Sequence, residues 1–128
     1  MEVKTASSIA LFAALGALVV AGPAGAGPAT GHAAAAKPKT TAASVYDTGF
    51  TPPTVKIKLN GSVKWTWDSA NIDRHTVTLN AAPKGVAVFG SQKRSVGYSY
   101  SRKFTKLGKY VMWCTVHPSK QQTIIVAK

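Results

Sequence analysis

Three side chains in this sequence are of kinds and in positions that could together bind a soft or borderline metal: His75, Cys114 and His117. Cys114 and His117 are separated by two residues in a turn closed by Pro118, so both can reach one ion. His75 heads the run His75 to Asn80, where strand alternation points residues 75, 77 and 79 to one face with Val77 and Leu79. By the same rule Tyr110, Met112 and Cys114 share the inward face of a later run. A thiolate with two imidazoles is the trigonal donor set in which copper exchanges single electrons. Structural zinc normally closes a tetrahedron of four ligands, and this chain has one cysteine. Singly, each residue has an ordinary reading: an inward histidine is more often hydrogen-bonded core, a free cysteine a small buried hydrophobe, and a Cys-x-x-His pair alone carries little weight. Only the three together, on a β-scaffold, point to copper.

The elements that would hold them are short strands. Val55, Ile57 and Leu59 alternate with Lys56 and Lys58, and Val63, Trp65 and Trp67 alternate with Lys64 and Thr66, the period of strands with one buried face. Asn60-Gly61 between these runs is a turn signal, although it does not require them to pair as a hairpin. Further strands are expected over Ser44 to Asp47, His75 to Asn80, Val86 to Phe89, Gly97 to Phe104, Lys109 to Cys114 and Thr123 to Ala127. About eight short strands and no amphipathic helix describe an all-β sandwich or small barrel. Phe50, Trp65, Trp67 and Phe89 are expected in its core, Tyr98, Tyr100 and Phe104 are divided between core and sheet surface, and Lys56, Lys58 and Lys64 face outward.

Ahead of these strands the composition differs. Lys4 precedes an apolar run from Ile9 to Ala21, then Gly22, Pro23 and Ala24-Gly25-Ala26, which reads as a secretory signal over residues 1–26. The run is shorter than the roughly 20 residues a membrane-spanning helix needs. Residues 27–43 are rich in Ala, Gly, Pro, Thr and Lys and read as a flexible tether, in which no element positions His32. Residues 44–128 form the expected domain. The 128-residue chain carries a formal net charge of +12. Outside the cytoplasm nucleic acid is a poor partner for it, and no basic helix or basic-aromatic motif argues otherwise. An acidic protein or an anionic envelope surface fits better, with the protein a monomer. A lone thiol in an oxidising compartment needs burial or a metal.

The stretches Phe50 to Trp67, His75-Thr76-Val77 and Gly108 to Pro118, with Cys114-Thr115-Val116-His117-Pro118 just before a final strand, resemble the plastocyanin and amicyanin branch of the cupredoxins over nearly all of residues 45–128. The resemblance implies a Greek-key β-sandwich and a type 1 (blue) copper site with His75, Cys114 and His117 as equatorial ligands to one copper ion. The family usually adds a weak axial Met shortly after the second His, and the amicyanin-like spacing lands here on Lys120. An ammonium group is repelled by a cationic metal, so Lys120 is expected to turn to solvent and the axial position to be empty, with Gln121 the next candidate. Gln122 and the carbonyl of Arg74 are more remote choices, and Met112 lies along the strand ahead of the cysteine. Thr76 and Thr115, each beside a ligand, are expected to pin the two loops together. Trp113 occupies a position where the family carries an aromatic that can lead electrons to the surface, although strand packing explains it equally well. The implied role is an exported, non-enzymatic shuttle of single electrons between redox proteins. The alternatives are a copper carrier or storage protein with the same ligands and a metal-free interaction module. A nitrite-reductase-like or oxidase site would need further histidines, and nothing near Cys114 marks a hydrolase nucleophile.

Overall fold

In the computed structural model, which describes residues 36–128, alternating apolar and polar side chains resolve into eight strands. They are β1 (Thr40–Tyr46), β2 (Gly49–Thr51), β3 (Thr54–Lys58), β4 (Ser62–Trp67), β5 (Thr78–Ala81), β6 (Ser99–Lys103), β7 (Gly108–Trp113) and β8 (Gln121–Ala127). The expected signal segment, the first part of the expected tether and His32 lie outside the described residues. Two four-stranded sheets form, in the orders β2-β1-β4-β6 and β3-β8-β7-β5. Both are mixed, because β1 runs parallel to β4 and β3 parallel to β8, while the remaining pairs are antiparallel. The result is an all-β sandwich.

The core lies between the inner faces: Val63, Trp65 and Trp67 from one sheet meet Val55, Ile57, Tyr110, Met112, Ile124 and Val126 from the other. Burying side chains of this size stabilises the fold by about 1.5–3 kcal/mol each relative to exposure. Lys56, Lys58 and Lys64 occupy the alternate, exposed positions. One polar stitch crosses the core, where Gln122 accepts the indole N–H of Trp65 at 2.6 Å and donates to the Pro52 carbonyl at 2.5 Å.

Several boundaries depart from expectation. β1 begins at Thr40 rather than Ser44, because the small residues Thr40 to Ala43 pair in parallel register with Ser62 to Trp65 and bury Ala43. The tether boundary at residue 43 is therefore too late. Residues 86–89 form no strand: Pro83 and the positive φ of Gly85 send the chain past the edge of β5, touching it through Leu79 N–H to Phe89 carbonyl and the isolated Thr78–Gly90 bridge. His75 precedes β5 instead of starting it. Leu59 lies beyond β3 and is half-exposed.

Asn60-Gly61 carries the chain from one sheet to the other rather than closing a hairpin. Asn60 takes a φ of 67°, and a Cβ on Gly61 would stand 2.8 Å from the Lys58 carbonyl oxygen. The amides of Leu59 and Asn60 donate to Ala127 and Phe104, and that of Phe104 to Gly61, so both sheets are tied at this end. Strand direction places the segments after β1, β4 and β7, which contain Asp47, Asp68 and Cys114, at the opposite end.

Candidate metal centre

His75 is held by its backbone before any contact of its ring is considered. Its N–H donates to the Arg94 carbonyl at 2.8 Å, and its own carbonyl accepts from Arg94 N–H at 3.1 Å and from the Trp67 indole at 3.2 Å. Cys114 directly follows β7, and its N–H donates to the Lys120 carbonyl at 3.2 Å. Between them the loop makes two tight turns, His117 N–H to Cys114 carbonyl at 3.2 Å and Lys120 N–H to His117 carbonyl at 2.9 Å. These bonds bring the three side chains of distant sequence segments to one point.

Cys114 Sγ lies 3.7 Å from His75 Nδ1 and 3.9 Å from His117 Nδ1, and the two Nδ1 atoms are 3.3 Å apart. A planar three-ligand site with bonds of about 2.0 Å to nitrogen and 2.3 Å to sulfur would set the donors about 3.5 Å and 3.7 Å apart. The observed triangle fits a single ion of that size. His75 and Cys114 are buried and His117 is half-buried, so the triangle opens to solvent on one side.

Both rings turn their second nitrogen toward a carboxylate. His75 Nε2 is 2.8 Å from Asp47 Oδ1, and His117 Nε2 is 3.6 Å from Asp73 Oδ2. The close carboxylate at His75 Nε2 fixes that ring with Nδ1 toward the sulfur, an arrangement that metal-binding histidines use, while the Asp73 approach to His117 is beyond direct hydrogen-bond distance. Asp47 also accepts the amide N–H groups of Ile72 at 2.9 Å and Asp73 at 3.1 Å, so one carboxylate both orients His75 and shapes the loop presenting Asp73. The hydrogen bond from His75, followed by that of Ile72, holds the Asp47 carboxyl below its ordinary pKa. Sequence reading missed Asp47 and Asp73; the usable signal was the scarcity of acids in so basic a chain, with Asp47 directly after a strand.

The sulfur is prepared for binding as well. Burial alone would push the Cys114 thiol up, but the Thr76 N–H at 3.4 Å, the His75 ring and the amides of His117 and Val116 outweigh it and bring the pKa down to about 6. The thiolate, the form that binds metals, therefore predominates at neutral pH. Thr76 Oγ1 lies 3.0 Å from Thr115 Oγ1 and accepts Thr115 N–H at 2.9 Å, linking the segment after His75's loop to the one after Cys114.

The axial candidates are placed otherwise than expected. Gln121 shares the outward register position of Trp113, is exposed, and directs its amide to the Pro118 carbonyl at 3.5 Å. It is turned away from the triangle, because β8 alternation puts its neighbour on the inner face. That neighbour, Gln122, is engaged by Trp65 and Pro52. Lys120 does not turn wholly to solvent: it is half-buried, its stem reaching within 3.6 Å of where a Cβ on Gly49 would stand. Trp113 is half-buried on the face opposite Cys114, with its indole nitrogen buried and without a hydrogen-bond partner.

No protein-family model matches the chain, and no curated protein sequence matches it. Solved structures do. An oxidised amicyanin variant with one methionine replaced by lysine shares 25% identity over 69% of this chain and 82% of its own, with a TM-score of 0.61. A Cu(I) amicyanin with a methionine replaced by alanine gives 24%, the same coverage and a TM-score of 0.60. A copper-containing nitrite reductase from Thermus scotoductus matches at 25% identity and a TM-score of 0.56, over 71% of this chain but 22% of the reductase.

Proposed function

This chain has the cupredoxin fold, and on that premise we propose that His75, Cys114 and His117 hold one copper ion through which it passes single electrons between redox proteins. The observation that carries this reading is the triangle of Sγ and two Nδ1 atoms, whose sides suit one three-coordinate ion. Copper, when bound, supplies the one-electron couple. The protein's part is to keep the donors in place in both oxidation states. Backbone hydrogen bonds fix His75, the Thr76 amide and the Thr76–Thr115 contact fix the sulfur, and Asp47 fixes the buried ring. Gln121 and Gln122 are engaged elsewhere, so the site rests on three ligands.

His117 is the exposed edge of the site, beside the exposed apolar residues Ile72 and Val116. A partner redox protein docks there, where water is readily displaced, and Trp113 offers a second way out from Cys114. Around this face Arg74, Lys93, Arg94 and Lys120 stand among Asp47, Asp68 and Asp73, so an acidic partner is met by local basic groups rather than by the whole net charge. Residues 1–26 direct export, and the protein works outside the cytoplasm. The lysine at the family's methionine position also supports a second reading, a copper carrier with the same ligands.

One experiment separates these. Cu(II) is added to the full chain, visible absorption and electron paramagnetic resonance are recorded, and the loaded protein is reduced in a stopped-flow instrument. An electron shuttle shows an intense thiolate-to-copper band that bleaches rapidly and returns on reoxidation. A carrier binds copper but exchanges electrons slowly, and absence of binding removes both readings.

A further inference from the structure

The end of the sandwich farthest from the metal triangle differs from it in charge. All the acidic side chains among the described residues, Asp47, Asp68 and Asp73, follow strand ends or loops on the metal side. The opposite end gathers lysines from segments far apart in sequence. Lys37 and Lys39 lie where the chain enters β1, Lys58 closes β3, and Lys103, Lys106 and Lys109 surround the turn from β6 to β7. Hydrogen bonds joining Ser62 to Lys39, Asn60 to Phe104 and Leu59 to Ala127 place these segments together. All six are exposed; Lys58 donates to the terminal Lys128 oxygen at 2.6 Å and Lys106 to the Lys84 carbonyl, while Lys37, Lys39, Lys103 and Lys109 have no carboxylate partner among the described residues.

The same end exposes apolar surface. Leu59 and Leu107 are 37% and 38% exposed, and a groove of about 800 Å³ runs between the entering chain and β3, walled by Pro38, Ile57, Leu59 and Ala127 under Lys37 and Lys39. Lysines around partly exposed leucines suit a bilayer interface, since the stems can lie along apolar matter while the ammonium groups reach phosphate. A polyanion without an apolar layer would leave the leucines and the groove unused.

We propose that this end is a docking surface for an anionic lipid bilayer, which holds the domain with its metal end facing away from the membrane. The surface uses none of the metal ligands, so the proposal stands or falls separately from copper binding. A domain seated this way leaves His117 open to a partner while its own lysines are occupied.

The test is sedimentation of the full chain, without copper, with vesicles of phosphatidylglycerol and phosphatidylcholine, read against vesicles of phosphatidylcholine alone so that any contribution of the apolar run Ile9 to Ala21 cancels. Lys39→Glu, Lys103→Glu and Lys109→Glu are combined in one variant, and Arg74→Glu, Lys93→Glu and Arg94→Glu in another of equal charge. Circular dichroism confirms that both fold. The anionic-lipid increment of the first variant should fall at least about a hundred-fold, since each lysine near such a surface contributes roughly five-fold, while the second retains most of it. Equal losses in both variants, or no increment in the unaltered protein, overturn the proposal. Binding to heparin or polyphosphate with the same lysine dependence, but not to the vesicles, overturns the assignment to lipid.

Discussion

The two ends of this sandwich close the same pair of sheets by different means. At the far end, Asn60-Gly61 is tied by backbone hydrogen bonds to Phe104 and Lys58, and the ionic side chains face outward. At the metal end backbone bonds such as His75 to Arg94 and Cys114 to Lys120 are joined by side-chain contacts: Asp47 to His75 and to two amides, Thr76 to Thr115, and the Thr76 amide to sulfur. Backbone closure depends on local conformation and little on side-chain identity. Side-chain closure depends on particular residues and leaves donor atoms aimed at a common point. Substitutions at the far end should therefore alter stability, and those at the metal end should alter copper.

The largest effect is expected at the sulfur. Cys114→Ser should abolish the thiolate-to-copper band and weaken copper binding by more than the roughly hundred-fold that loss of an outer partner can cost, measured by competition with a chelator. Asp47→Asn removes the charge behind His75 and should weaken copper binding about 10–100-fold, with the band retained. An unchanged affinity would mean that Asp47 supports only the loop. At the other end, Gly61→Ala forces a Cβ against the Lys58 carbonyl and should cost about 1–3 kcal/mol in denaturant unfolding without altering copper affinity. If that substitution disturbs the copper spectrum, the ends are not independent.

A separate effect is a pH dependence in the metal-free protein. Cys114 has a folded pKa of about 6 against an ordinary value of 9.0. Between these values the unfolded chain binds the proton more tightly, so stability rises with pH through this window. The gain is complete above pH 9 and is lost as pH falls through 6. Denaturation midpoints at pH 5.5 and 8.5, compared with Cys114→Ser, isolate this slope; no difference in slope between the two proteins would show that the thiol is not activated.

What could be read from the sequence follows this division. The alternation of Val63, Trp65 and Trp67, and of Tyr110, Met112 and Cys114, gives the inward faces, because a strand has one period and the core one side. The convergence of His75, Cys114 and His117 was legible for the same reason, with the family resemblance supplying their order. Asp47 was not, since its partners are a ring and two amides brought near only by tertiary structure. Gln121, the candidate after an empty axial position, faces outward, because spacing after a histidine does not specify which face of β8 a side chain takes. Residues 86–89 have strand-forming side chains, but Gly85 and Pro83 steer the backbone off the ladder.

The most direct test of the central claim is X-ray absorption at the copper edge of the loaded full chain. One sulfur and two imidazole nitrogens in the copper's coordination shell are predicted, with the sulfur lost in Cys114→Ser. A shell of nitrogen and oxygen alone in the unaltered protein would contradict the account.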